Sequence, residues 1–194
     1  MAECSAAVPA VAVEAFCPLR GLDALAADGK MPALPMKNRV YLSLGSNIGD
    51  RTANMNTAID RLCAVGDVAA VSSFYETEPV EFTAQAWFLN CAVALDMDKE
   101  PKQLLAGILD IEQQLGRRRE QKKGPRIIDI DILLFGNLIV EAPGLKIPHP
   151  AMHERRFVLE PLAEIAPEVE HPVLKRSIRE LRDALPEGQV VRKL

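Results

Sequence analysis

No uninterrupted apolar stretch in this 194-residue chain approaches the roughly 18 residues a membrane-spanning helix needs, so that class of protein is not expected. The four cysteines, Cys4, Cys17, Cys63 and Cys91, form no C-x-x-C pair. Cys63 and Cys91 sit among apolar residues, where a reduced thiol acts as a small hydrophobe, and a reducing cytoplasm is the expected setting. Positive charge is not in excess: 23 Lys and Arg stand against 27 Asp and Glu, for a net charge of -4. The global field therefore does not favour nucleic acid or acidic membranes, and any phosphate site must be local. The small-residue turn from Gly45 to Gly49 matches neither the dinucleotide fingerprint nor the P-loop. The apolar stretch Ser5 to Phe16 lacks the basic lead of a secretory signal and is broken by Pro9 and Glu14.

What is present fits one compact domain, because hydrophobic residues make up 48% of a chain of this length. Residues 1–37 are rich in alanine, punctuated by proline and without sustained period, and are expected to be a poorly ordered extension before a domain at 38–194. Val40 to Leu44 reads as a strand ending in a turn, and Asp50 can cap a following helix on which Met55, Ile59 and Leu62 recur. Val68 to Thr77 and Phe88 to Met97 have strand composition. Pro101 opens a helix with Leu104, Ile108 and Ile111 on its apolar face, stopped by Gly116. A basic loop leads to a fourth strand, Ile127 to Phe135. This order predicts an α+β fold with a ferredoxin-like βαββαβ core: a four-stranded antiparallel sheet with helices on one face, decorated by short C-terminal helices at Phe157 to Ile165 and Ser177 to Leu185.

The sharpest chemical signal is Gly124-Pro125-Arg126-Ile127-Ile128-Asp129-Ile130-Asp131-Ile132. Strand side chains alternate, so Asp129 and Asp131 share one face while Ile128, Ile130 and Ile132 point to the core. Two like charges about 7 Å apart on a strand repel, and a hard cation such as magnesium would relieve them. Alternatively they are two carboxylates on a solvated face. Arg117, Arg118, Arg119, Lys122, Lys123 and Arg126 precede them, a local cluster suited to a triphosphate, although such a run is also met as a solvated or salt-bridged loop. His149 and His153 have the spacing of a metal pair, but Pro148 and Pro150 prevent one helix from holding both, so zinc is not expected. Trp87, Phe88 and Phe157 are either core or, beside Asn90, a clamp for a flat heterocycle.

Taken together, Leu44-Gly45-Ser46-Asn47-Ile48-Gly49-Asp50, Ser72 to Thr77, Phe88-Leu89-Asn90, the Lys122 to Leu133 segment and Pro148-His149-Pro150 resemble the hydroxymethyl-dihydropterin pyrophosphokinases from about Arg39 to Leu185. The resemblance implies transfer of pyrophosphate from ATP to 6-hydroxymethyl-7,8-dihydropterin in folate synthesis, with AMP released. It implies two Mg2+ ions on Asp129 and Asp131. It places Arg117, Arg119, Arg126 and Asp131 in catalysis, and Glu112, Arg117, Arg119, Lys122, Arg126, His149 and Arg155 around ATP. Gly45, Thr77, Val80, Phe88, Asn90 and Phe157 would line the pterin pocket. Lys123 stands where relatives often carry an aromatic residue, and Glu78 where some carry proline. The implied enzyme is a cytoplasmic monomer whose partners are ATP and the pterin, with neither nucleic acid nor membrane. An RNA-binding sheet is the rival, but that layout asks for a basic surface and aromatics where this strand carries aspartates.

Overall fold

The computed structural model describes residues 37–79, 85–117 and 124–194. Its main sheet has six strands: β1 (Asn38–Ser46), β2 (Asp67–Val71), β3 (Tyr75–Thr77), β4 (Phe88–Met97), β5 (Asp129–Phe135) and β8 (Val191–Lys193). A hairpin of β6 (Val140–Ala142) and β7 (Leu145–Ile147) forms a second small sheet. The path through the main sheet is β5-β1-β4-β3-β8, with β2 also paired to β4, and every pairing is antiparallel. The α+β class holds, whereas the count of four strands does not.

Two features account for the difference. The single strand expected from Val68 to Thr77 is interrupted at Ser72. Val71 faces Val93 but Tyr75 faces Asn90, so one extra residue is accommodated on the edge side. The Ser72 hydroxyl takes over part of the ladder, accepting from the Ala92 N–H at 2.9 Å. The second feature is β8, a short C-terminal strand that covers the outer edge of β3.

Helices pack on both faces rather than one. Alternation sends Val40, Leu42 and Leu44 of β1, with Leu89, Cys91, Val93 and Leu95 of β4, toward α1 (Arg51–Leu62) and α2 (Pro101–Gln114). Ile128, Ile130 and Ile132 join that core, as their spacing predicts. Asp50 caps α1 by accepting the Ala53 N–H at 2.9 Å, and the preceding turn uses Gly49 at φ 67°. The opposite face is covered by α3 (Arg156–Ile165) and α4 (Ile178–Asp183), which bury Leu159, Leu162 and Leu181 against Tyr41, Ala92, Ala94 and Leu134. The apolar sides of these short C-terminal helices thus build a second core and are not a decoration.

That second face is where the site is made. Register aligns Tyr41 with Ala94 and Leu134, then Ser43 with Ala92 and Asp131, then Gly45 with Asn90 and Asp129. Along three neighbouring strands the same face changes from apolar to polar within two rows. The apolar end is sealed by α3, and the polar end remains as an open cleft.

Candidate active site

A cleft of about 320 Å³ lies over the polar rows, lined among others by Gly45, Thr77, Phe88, Asn90, Arg117, Arg126, Asp129, Asp131, His149, Arg155 and Phe157. These expected site residues come from separate parts of the chain and meet in one place. Glu112 lies behind the cleft, and its role is described below. Arg119, Lys122, Lys123 and Val80 lie outside the described residues.

At one end, Asp129 and Asp131 project from β5 toward the same side. Burial, and after it the charge of Asp129, pushes Asp131 up to about 6, with Arg155, Arg126 and Arg117 pulling the other way. Asp129 is held by the guanidinium groups of Arg117 and Arg126. Glu112, only 3% exposed on α2, sits beneath this group. Its Oε1 accepts the Ile130 N–H at 2.9 Å and also pairs with Arg117. Since β5 is an edge strand, that N–H would otherwise have no ladder partner, so Glu112 fixes the backbone between the two aspartates and aims one cation.

His149 is placed by its own N–H donating to the Leu133 carbonyl at 2.9 Å. Its Nδ1 accepts the Ala151 N–H at 3.2 Å, which leaves the other ring nitrogen, Nε2, to carry the proton as a donor. Burial, then the charge of Arg155, pushes its pKa down to about 4, so the imidazole is neutral near pH 7. His153 is not part of the cleft; it meets His171 edge to face at 6.2 Å. Among the described residues no cluster of three or more His, Cys, Asp or Glu is arranged to hold a metal.

The other end is aromatic. Phe88, Phe157 and Asn90 line it, and Asn90 Nδ2 donates to Thr77 Oγ1 at 2.7 Å. A Cβ at Gly45 would fall 2.7 Å from Asn90 Oδ1, so the absence of a side chain there leaves the amide oxygen room to face the cleft. The Arg126 guanidinium lies 5.7 Å from the centre of the Phe88 ring, and that of Arg155 5.7 Å from Phe157. Arg126 thus touches both ends. Trp87, by contrast, lies under Arg192 at 5.1 Å and does not line the cleft.

Asn47, 5% exposed, is a residue to which the sequence alone assigns no role, yet it ties three loops. It accepts the Arg126 N–H at 2.8 Å through Oδ1, donates its own N–H to the Arg126 carbonyl at 3.1 Å, and donates from Nδ2 to Gln85 Oε1 at 3.1 Å. Arg51 adds a bond to the Trp87 carbonyl at 2.9 Å. The one sequence signal for Asn47 is its place inside the Gly-Ser-Asn turn that closes β1.

Carboxylates and guanidinium groups at one end of a cleft, with an aromatic pair at the other, are the arrangement a group-transfer enzyme would need to handle phosphate on a ring-bearing substrate. Residues 41–167 match the family model of 7,8-dihydro-6-hydroxymethylpterin-pyrophosphokinase, HPPK. The chain is 49% identical over 137 residues to the 2-amino-4-hydroxy-6-hydroxymethyldihydropteridine pyrophosphokinase of Bacillus subtilis, covering 70% of this chain and 82% of that one. It is 41% identical over 151 residues to the folic acid synthesis protein FOL1 of Dictyostelium discoideum, covering 78% of this chain and spanning 23% of that much longer relative. A crystal structure of Plasmodium falciparum HPPK-DHPS superposes with a TM-score of 0.62 at 20% identity, over 76% of this chain and 44% of that one. The chain belongs to the HPPK family.

Proposed function

We propose that this protein transfers the β,γ-diphosphate unit of ATP to the hydroxymethyl oxygen of 6-hydroxymethyl-7,8-dihydropterin, releasing AMP, the pyrophosphokinase step of folate synthesis. The observation that carries this reading is the single cleft in which Arg126 touches both Asp129 and the Phe88 ring, so that the phosphate end and the ring end meet at one residue. ATP is placed along Arg117, Arg126, His149 and Arg155, and the family resemblance adds Arg119 and Lys122 to the residues expected to meet its phosphates. The pterin is placed between Phe88 and Phe157 with its amide-like edge toward Asn90, and with Gly45 and Thr77 along the wall; Val80 is assigned to the same substrate by the family resemblance.

The donor set fits magnesium. Mg2+ takes one or two carboxylates and fills its remaining positions with substrate phosphate and water, and Asp129 and Asp131 supply that pair on one strand face. When bound, two such ions would neutralise charge on the transferring phosphate groups. The chain's own residues do the rest. Arg117 and Arg126, now on Asp129, would exchange that carboxylate for phosphate oxygens, so charges already buried together are re-paired and not newly desolvated. His149 donates from Nε2, and the aromatic pair orients the hydroxymethyl group for in-line attack. No side chain has to become a nucleophile.

The strand order of the four expected segments supports a ferredoxin-like core, extended at one edge by β8 and covered on its second face by α3 and α4, within one domain at 38–194. The buried thiol of Cys91 supports a reducing, cytoplasmic setting. No described helix is long and apolar enough to cross a membrane.

Variants at the two ends test the placement. Phe157→Ala is expected to raise the KM for pterin roughly tenfold with little change in KM for ATP. Arg126→Ala is expected to lower kcat by about 10²-fold or more. Steady-state kinetics in which Phe157→Ala changes only the ATP parameters would overturn the orientation of the two substrates.

A further inference from the structure

The C-terminal segment that ends in β8 lies beyond the residues matched by the family model, yet it touches the cleft wall at several points. Helix α3 starts at Arg156, and its N-cap residue Arg155 makes no side-chain capping bond. The N–H of Phe157 in that first turn is one of the donors a helix leaves without an internal partner. Gln189 supplies the partner from 32 residues away: its Oε1 accepts the Phe157 N–H at 3.2 Å. The other end of the same amide, Nε2, donates to the Glu78 carbonyl at 3.2 Å. The next residue continues the seam, with the Val190 carbonyl accepting the Glu78 N–H at 3.2 Å, and β8 then pairs with β3 from Val191 opposite Thr77.

One amide therefore spans the two walls of the ring-binding end. Phe157 stands on one wall, and Thr77, Glu78 and Pro79 on the other. The gap between those walls decides how a flat heterocycle is gripped. A primary amide is the side chain that can accept on one side and donate on the other.

We propose that Gln189 is a positioning residue for pterin binding, holding the α3 wall and the Glu78 wall at the separation the ring requires. The inference rests on the assignment of that end of the cleft to the pterin. It predicts an effect confined to one substrate, because the two bonds of the Gln189 amide go to the ring end and not to Asp129, Asp131 or the arginines beside them.

The test is steady-state kinetics on the full chain with Gln189→Ala and Gln189→Glu, beside Phe157→Ala, with thermal unfolding of each. The glutamate variant separates positioning from stability. It keeps an acceptor for the Phe157 N–H and places negative charge at a helix N-terminus, where it is favourable, but it has no donor for the Glu78 carbonyl. Both Gln189 variants should raise the KM for pterin roughly three- to tenfold, the loss expected for one or two hydrogen bonds, with KM for ATP within about twofold of wild type. Gln189→Glu should do so while unfolding at or above the wild-type temperature. An unchanged pterin KM in both, or pterin and ATP KM rising together, would overturn the inference. If Phe157→Ala also leaves the pterin KM unmoved, the assignment of the ring end itself falls; if Phe157→Ala raises it and the Gln189 variants do not, only the role of Gln189 falls.

Discussion

Asp131→Asn is expected to lower kcat/KM about a thousandfold and, in the presence of a chelator at pH 8, to make the folded protein more resistant to heat. The loss follows from removing one of the two carboxylates that face the phosphate end, in a reaction where charge placement supplies most of the catalysis. The gain follows from the cost of holding that carboxylate. Burial and the neighbouring Asp129 push Asp131 from its ordinary 3.8 up to about 6 in the folded chain. A folded-state pKa above the unfolded one contributes stability that is fully present below pH about 4 and lost as the pH rises through about 6. At pH 8 the ionised group is therefore a liability on the order of 3 kcal/mol in metal-free protein, and asparagine removes it. Thermal unfolding at pH 4 and pH 8 checks the sign: the advantage of the variant should appear only at the higher pH. A variant that is no more stable at pH 8 would mean that the arginines already compensate the charge in full.

The second large effect is at Glu112, which the family resemblance places around ATP and which the structure ties to the Ile130 N–H and to Arg117. Glu112→Ala strips the acceptor from the Ile130 N–H and the counter-charge from Arg117 in one step, at a position 3% exposed. Breaking a buried pair of this kind costs about 3–5 kcal/mol, which for a domain of this size lowers the melting temperature by roughly 6–20 °C. Activity should fall too, because Ile130 lies between the two aspartates and Arg117 loses its guide. Glu112→Gln keeps an acceptor for the backbone N–H and should recover most of the stability while recovering less of the activity. Calorimetry and initial rates on the two variants distinguish a bracing role from a passive one; equal stability for Ala and Gln would remove the backbone bond from the account.

The placement of the two acids was legible because it is written in local order. Asp129 and Asp131 alternate with isoleucines, and strand geometry alone places both acids on one face and the isoleucines in the core. Segment order likewise pointed to the α+β class. What was not legible depends on contacts between distant segments. Ser72 has ordinary strand neighbours, and nothing in sequence says that its hydroxyl will replace a ladder acceptor and divide the strand. The segment Val191–Lys193 is too short to announce itself as a strand and exists because β3 offers an open edge. Helices on the second face were hidden by the reading of α3 and α4 as additions, although Leu159, Leu162 and Leu181 needed a surface to bury against. Asn47, Gln189 and the bracing role of Glu112 share one cause: a side chain that bonds backbone far away in sequence leaves no period or motif behind.

The identity of the nucleotide product bears most directly on the assigned reaction. Purified protein with ATP, magnesium and 6-hydroxymethyl-7,8-dihydropterin should be followed by phosphorus NMR, beside a chain carrying Asp129→Ala and Asp131→Ala. The predicted result is AMP and a pterin diphosphate appearing in equal amounts, only when pterin and magnesium are both present, and not with the double variant. Formation of ADP with a pterin monophosphate, or ATP turnover indifferent to the pterin, would contradict it.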